Sequence, residues 1–253
     1  MGNLEAKKRE LEHHEELYSG SAQAMFAQPA VRAFRCHLAA RILEATGAGR
    51  ESRVLSLGCG IGDTEILLAP QVGELVGVDL SPAAIRQARF DAAAAGLTNV
   101  RFLEGGLDRL DFPPARFDAI VAVFFMHHLD DEDLGLLSAR VRELLKPSGA
   151  YYGLDPSRYR LSGAVGRLLI PRVMEKHQSP DERQLFPSET AKLFREAGLR
   201  TTVRMYDFGS TPCAGLLPGS ASAYRLTRVI DDLLVKIPLL NKLGSNFELI
   251  AHL

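Results

Sequence analysis

The stretch that decides the fold runs from residue 54 to residue 65, VLSLGCGIGDTE. Its apolar start is that of a buried strand, and it breaks at once into three alternating glycines, Gly58, Gly60 and Gly62. Glycine reaches positive φ at no steric cost and carries no Cβ, so such a loop turns tightly or passes close to something bulky. Outward from it the chain alternates. RVLSL (53–57) reads as a strand and DTEILLA (63–69) as a helix; ELVGVDL (74–80) is a second strand. Ser81-Pro82 then sets an N-cap before proline at the first helical position, and Gly96 stops that helix. NVRFLEG (99–105), FDAIVAVFF (117–125) and AYYGLD (150–155) read as further strands, with a helix over 131–145. Strands that are apolar on both faces and alternate with helices predict an α/β fold, its parallel sheet covered on both sides.

The flanks are less regular. Residues 3–17 and 30–45 read as helices, the second with Val31, Phe34, Leu38 and Ile42 at helical spacing and a stop at Gly47. Past Asp155, residues 156–187 keep no clean period. Ser188 reads as the cap of a helix that ends at Gly198, and 199–208 and 246–253 read as strands. Between them, Leu226, Val229, Ile230, Leu233, Leu234 and Ile237 share one helical face, the pattern of a helix facing the core.

Composition narrows the class. With 46% hydrophobic and 24% charged residues in 253, the chain can bury an ordinary globular core. A net charge of -1 without like-charge blocks gives no reason to expect a nucleic-acid partner. Cys36, Cys59 and Cys213 are odd in number and far apart, which argues against a disulfide framework and against a paired-cysteine metal site. The charged N-terminus lacks the apolar core of a signal peptide, and no apolar run reaches the ~20 residues of a membrane span. The expectation is a cytoplasmic protein with no integral membrane segment, leaving peripheral contact open.

The glycine loop can then be tested against ligands. A P-loop needs a lysine after its last glycine, and none follows here. A dinucleotide site needs a third glycine where this chain has Asp63, and a carboxylate at the helix start repels a pyrophosphate. The same aspartate suits a ligand carrying an ammonium and a sulfonium, as S-adenosylmethionine does. Asp79, at the end of the second strand, is placed to accept hydrogen bonds from ribose hydroxyls.

VLSLGCGIGDTE, VGVDLSPAAIRQAR, FDAIVAVFFMHHL and LKPSGAYYGLD together resemble the successive motifs of class I S-adenosylmethionine-dependent methyltransferases, in the metal-independent small-molecule branch. The resemblance covers roughly residues 50 to 155. It implies a Rossmann-like seven-stranded sheet, mostly parallel with the last strand antiparallel, and helical insertions forming a lid. The implied division is an N-terminal helical lid (1–47), an S-adenosylmethionine-binding core (48–155), and acceptor-binding insertions with the last two strands (156–253). Gly58, Cys59, Gly60, Gly62 and Asp63 would pass the methionyl and adenosyl parts; Asp79 would take the ribose and Leu80 would pack on adenine. The carbonyl near Val123 would face the ammonium, and Gly106, Leu107 and Asp108 stand where relatives hold the adenine amine. Tyr18 would close over the cofactor.

His127, His128 and Asp155, at the ends of the fourth and fifth strands, are the catalytic candidates: a histidine there can take a proton from an acceptor hydroxyl. Helix capping or packing is the alternative reading of each. The reaction implied is direct in-line displacement at sulfur, without metal, onto an oxygen or nitrogen of a small apolar acceptor, leaving S-adenosylhomocysteine. The apolar and basic residues of the insertions (Leu168, Leu169, Ile170 and Leu216 among them, with Arg158, Arg160, Arg167 and Arg172) suggest a lipid-like acceptor. A protein that binds S-adenosylmethionine without transferring methyl is the second reading.

Overall fold

A computed structural model describes residues 15, 18, 22–107, 110–163 and 183–253. The expected helix over 3–17 (Glu15 apart), Asp108, Arg167, Leu168, Leu169, Ile170 and Arg172 lie outside the described residues. Among the described residues α1 (Ala22–Phe26) and α2 (Pro29–Thr46) precede the sheet. There follow β1 (Arg53–Leu57), α3 (Glu65–Leu68), β2 (Glu74–Asp79), α4 (Pro82–Ala94), β3 (Val100–Glu104) and β4 (Phe117–Val123). Next come α5 (Asp131–Leu144), β5 (Leu145–Pro156), α6 (Pro187–Glu196) and β6 (Arg200–Asp207). The last elements are α7 (Ser210–Leu216), α8 (Ala221–Leu234) and β7 (Asn246–His252).

The strands form one seven-stranded sheet in the order β3-β2-β1-β4-β5-β7-β6, with β7 antiparallel to both its neighbours. The fold is therefore the expected doubly wound sheet with a reversed last strand. Its order reverses between β1 and β4, so the loops leaving their carboxyl ends open a crevice, where ligands bind in such sheets. One core layer joins α5 and α6 to the sheet through Leu137, Tyr151, Phe194 and Phe247. The other joins α2 to it through Phe34, Leu38, Ile42, Val54 and Tyr152, so the inner face of α2 is built into the core.

Ser81 caps α4 as expected, its Oγ accepting from the Ala84 amide. Several local readings change. Ser188 does not cap α6, because Pro187 already occupies the first turn and Phe186 stands at the cap without a side-chain bond. β4 stops at Val123 rather than 125, since Phe124 takes a φ of 52° and turns the chain into a 3₁₀ turn, Met126–His128. β5 begins at Leu145, with a register shift against β4 between Phe117 and Ala119 that takes up residues 146–149 as a bulge in the strand. α7 has no strong period and was not expected from the sequence.

The largest correction concerns α8. Its apolar stripe faces solvent: Leu226, Val229, Ile230 and Leu233 are exposed, whereas Tyr224, Arg228 and Asp231 are buried. The inner face is polar because the neighbouring elements need polar partners. Asp231 accepts from the Gly209 and Ser210 amides at the start of α7, and Arg228 donates to the Tyr206 carbonyl at 2.9 Å.

Candidate functional site

The three glycines of the loop have different tasks. All take positive φ, 66°, 52° and 75° for Gly58, Gly60 and Gly62. A Cβ on Gly62 would lie 2.8 Å from the Phe102 ring and 3.1 Å from Ala88 Cβ, so Gly62 lets β3 and α4 close on the loop from below. Gly60 lies instead under Tyr18, whose hydroxyl is 2.9 Å from the place of its Cβ, and Gly58 lies under the ring of Phe125. The Cys59 side chain is buried beneath, its thiol pushed up by that burial, which fits a small spacer rather than a nucleophile.

Around this loop stand the expected polar groups. The Asp79 carboxylate, at the end of β2, accepts from the Gly60 amide at 2.8 Å and the Ser81 amide at 2.9 Å. Leu80 beside it is exposed. Gly105 donates to the Asp79 carbonyl, which brings the 105–107 turn alongside. The Leu107 side chain points into the core, so only backbone near it can meet a ligand. Tyr18 is held between the charges of Asp79, Asp63 and Arg35, and burial raises its hydroxyl pKa.

Two residues that sequence reading did not single out complete the group. Arg35, from α2, sets its Nε 2.6 Å from Asp63 Oδ2. Its guanidinium lies 5.4, 5.3 and 6.0 Å from the ring centres of Phe26, Phe34 and Phe124. Asp63 therefore does not present a bare negative charge to the loop, and repulsion of a pyrophosphate is weaker than the sequence alone suggests. Glu65 is buried at the start of α3 and accepts from the Ser56 hydroxyl at 2.6 Å. Burial, then the nearby Asp63, raises its pKa to about 7.

Arg35 Nε and Asp63 Oδ2 meet each other as an ion pair, whereas Glu65 Oε2 is buried with no hydrogen-bond partner among the described residues. Buried polar atoms left so are costly unless something meets them. A zwitterionic amino-acid end brings a carboxylate for the guanidinium and an ammonium for the carboxylates. Together with the glycine cradle and the Asp79–Leu80 pair, the residues present fit S-adenosylmethionine.

The second cluster lies on the β4–β5 side. Asp155 is fully buried at the end of β5, and burial raises its pKa to about 7 against the pull of the backbone amides of residues 125–127. It accepts from the His127 amide at 3.1 Å and lies 2.7 Å from His127 Nδ1. The His128 ring lies over that of His127, centres 3.9 Å apart. The carboxylate thus both caps the 3₁₀ turn and fixes the tautomer of His127, leaving Nε2 as the basic position of the ring when the shared proton sits on Nδ1. Phe125, in the same turn, covers Gly58, so the two clusters meet across the switch point. Val123, at the end of β4, is half-buried. Among the described residues no group of three or more acidic, histidine or cysteine side chains is placed to hold a metal ion.

Comparison with known proteins agrees with this geometry. The family described as a methyltransferase domain matches residues 54–149. The demethylmenaquinone methyltransferase of Deinococcus radiodurans is 35% identical over 176 residues, 62% of this chain and 71% of that protein. The ubiquinone biosynthesis O-methyltransferase of Xylella fastidiosa strain 9a5c is 29% identical over 151 residues, 58% of this chain and 61% of its own. Among solved structures, the YcgJ protein of Bacillus subtilis superposes with a TM-score of 0.57 at 23% identity, covering 85% of this chain and 95% of that one. With the glycine loop, the acid ending β2 and the reversed last strand all in place, the chain belongs to the class I S-adenosylmethionine-dependent methyltransferases.

Proposed function

We propose that this methyltransferase methylates an oxygen or nitrogen of a small, apolar, lipid-like acceptor, the quinol or phenol class being the best fit, by direct in-line displacement. The observation that carries the reading is the His127–Asp155 pair at the sheet edge beside the glycine loop, a base held by a buried acid where a hydroxyl must lose its proton. The names of the quinone-pathway relatives support the acceptor class.

S-adenosylmethionine supplies the electrophilic methyl group when bound. The chain supplies the rest. Asp79 holds the ribose hydroxyls and Leu80 the adenine face; the backbone of Gly106 and Leu107 borders the adenine, and Val123 offers a carbonyl to the ammonium. Gly58, Cys59 and Gly60 contribute backbone, Gly62 supports the loop, and Tyr18 shields it from water. Asp63, Glu65 and Arg35 match the zwitterion. His127 Nε2 takes the acceptor proton as the new bond to carbon forms, while Asp155 and His128 position the ring. Segment 1–47 serves as the lid, the inner face of its α2 being also part of the core, 48–155 holds the cofactor, and 156–253 shapes the acceptor side.

The test pairs calorimetry with an acceptor screen. Wild type binds S-adenosylmethionine and S-adenosylhomocysteine but not NAD, and Asp79→Ala loses both sulfur ligands. His127→Gln keeps their affinity and loses roughly 10²–10⁴-fold in methylation of phenolic and quinol acceptors, the usual worth of a general base. Unchanged turnover in His127→Gln would remove the base and leave alignment as the source of the rate.

A further inference from the structure

The outward stripe of α8 is the largest feature the reaction does not use. Leu226, Val229, Ile230, Leu233, Ile237 and Leu239 are each between 45% and 74% exposed, and they continue past the helix end into the tip at Ile237-Pro238-Leu239. The helix cannot roll this stripe inward. Its other face is fastened by Asp231 to the amides opening α7, and Arg228 pairs with Asp232 at 2.7 Å and lies 4.9 Å over the Tyr206 ring. Turning the helix would strand a buried arginine and a buried aspartate, which costs more than exposing leucines.

The charge around the stripe indicates what covers it. Segment 209–245 holds four basic and two acidic residues. Both acids are engaged, Asp231 in the cap and Asp232 with Arg228. Arg225, Lys236 and Lys242 are exposed and make no ion pair among the described residues. Arg225 on the helical wheel, and Lys236 just past the helix end at the same period, fall along one edge of the apolar stripe, where their long stems can lie along it while the charged ends reach outward. An exposed apolar face edged by unpaired cations, ending in a protruding apolar tip, is the pattern of a helix lying in the headgroup region of an anionic bilayer.

We propose that α8 and the tip at 237–239 dock this enzyme peripherally on an anionic lipid surface, with the apolar stripe inserted and Arg225, Lys236 and Lys242 on lipid phosphates. Among the described residues no helix is long and apolar enough to cross a membrane, so the contact is interfacial. The inner face of α8 touches the site's own wall: the Tyr224 ring packs on Phe34 at 6.3 Å, and Phe34 is one of the rings around Arg35. Docking would therefore hold this wall of the site close to the bilayer. The proposal does not depend on which acceptor is methylated.

Cosedimentation of the full chain with vesicles tests it, using phosphatidylcholine alone and phosphatidylcholine with about 30% phosphatidylglycerol. Wild type is expected to partition at least ~10-fold more onto the anionic vesicles, and less as salt is raised. The double variant Leu226→Glu/Leu233→Glu should lose binding to both. Lys236→Glu/Lys242→Glu should lose only the preference for anionic lipid. S-adenosylhomocysteine affinity equal to wild type shows that each variant is folded. Absence of wild-type binding, or binding undiminished in the leucine variant, overturns the proposal. A dimer that the leucine variant dissociates, without vesicle binding, would overturn it too and assign the stripe to a second copy.

Discussion

Glu65 spends one carboxylate oxygen on Ser56 and leaves the other buried without a hydrogen-bond partner among the described residues. Its pKa, about 7 against an ordinary 4.5, ties stability to pH with a definite sign. The folded state holds this proton more tightly than the unfolded chain. The stabilising contribution is therefore fully present below about 4.5 and is lost as pH rises through about 7. Asp155, raised from 3.8 to about 7 by burial, acts in the same direction. Glu65→Gln removes one of these contributions. Urea unfolding at about pH 5 and about pH 8 should show the variant gaining on wild type at the higher pH, with a shallower pH dependence between. Equal slopes would mean that Glu65 ionises at its ordinary pKa in the fold. At this scale the sequence revealed only part of the site. Asp79 and Asp155 end strands and His127 lies in the turn just after one, so all three could be placed from local pattern. Arg35 and Glu65 sit in helices, and only tertiary packing brings a guanidinium from α2 onto Asp63 or carries a helix acid back to a strand serine.

At the scale of elements, the strand–loop–helix unit around Gly62 shows why the pattern was readable. β1 and β2 are buried on both faces and so appear as nearly continuous apolar runs, and the loop glycines are imposed by backbone conformation. Gly62 combines a φ of 75° with no room for a Cβ between Phe102 and Ala88, both buried. Gly62→Ala should therefore cost about 2–4 kcal/mol in urea unfolding, from left-handed strain plus overpacking. Gly96 also has positive φ, 68°, but open space around it, so Gly96→Ala isolates the strain alone and should cost only about 1 kcal/mol. Equal losses in the two variants would refute the packing role. α8 shows the opposite case. Its period was legible and its facing was not, because periodicity reports that two faces differ while the partners decide which is inside. Here the partners are the amides of α7 and the carbonyl of Tyr206, and they select arginine and aspartate.

At the scale of the molecule, the two ends of the chain are locked together by one buried group. Glu248, in the middle of β7, accepts both arms of Arg41 from α2 at 2.7 and 2.8 Å, and the Tyr152 hydroxyl of β5 at 2.8 Å. This joint fixes α2, which carries Arg35 to the loop, against the strand that closes the sheet. Removing the guanidinium leaves a carboxylate with almost no exposure uncompensated. Arg41→Ala should lower the unfolding free energy by about 3–5 kcal/mol, whereas replacing both partners, Arg41→Met with Glu248→Gln, should cost clearly less. Tyr152 can still donate to the glutamine carbonyl in the double variant. Arg41→Lys keeps the charge without the two-armed fork and should fall between. The joint also predicts a functional effect at a distance. If it positions α2, Arg41→Lys should weaken S-adenosylhomocysteine binding through the displaced Arg35, and Arg35→Lys combined with it should weaken binding no further than Arg35→Lys alone. Additive losses in that cycle would show that Arg41 supports the fold without setting the site.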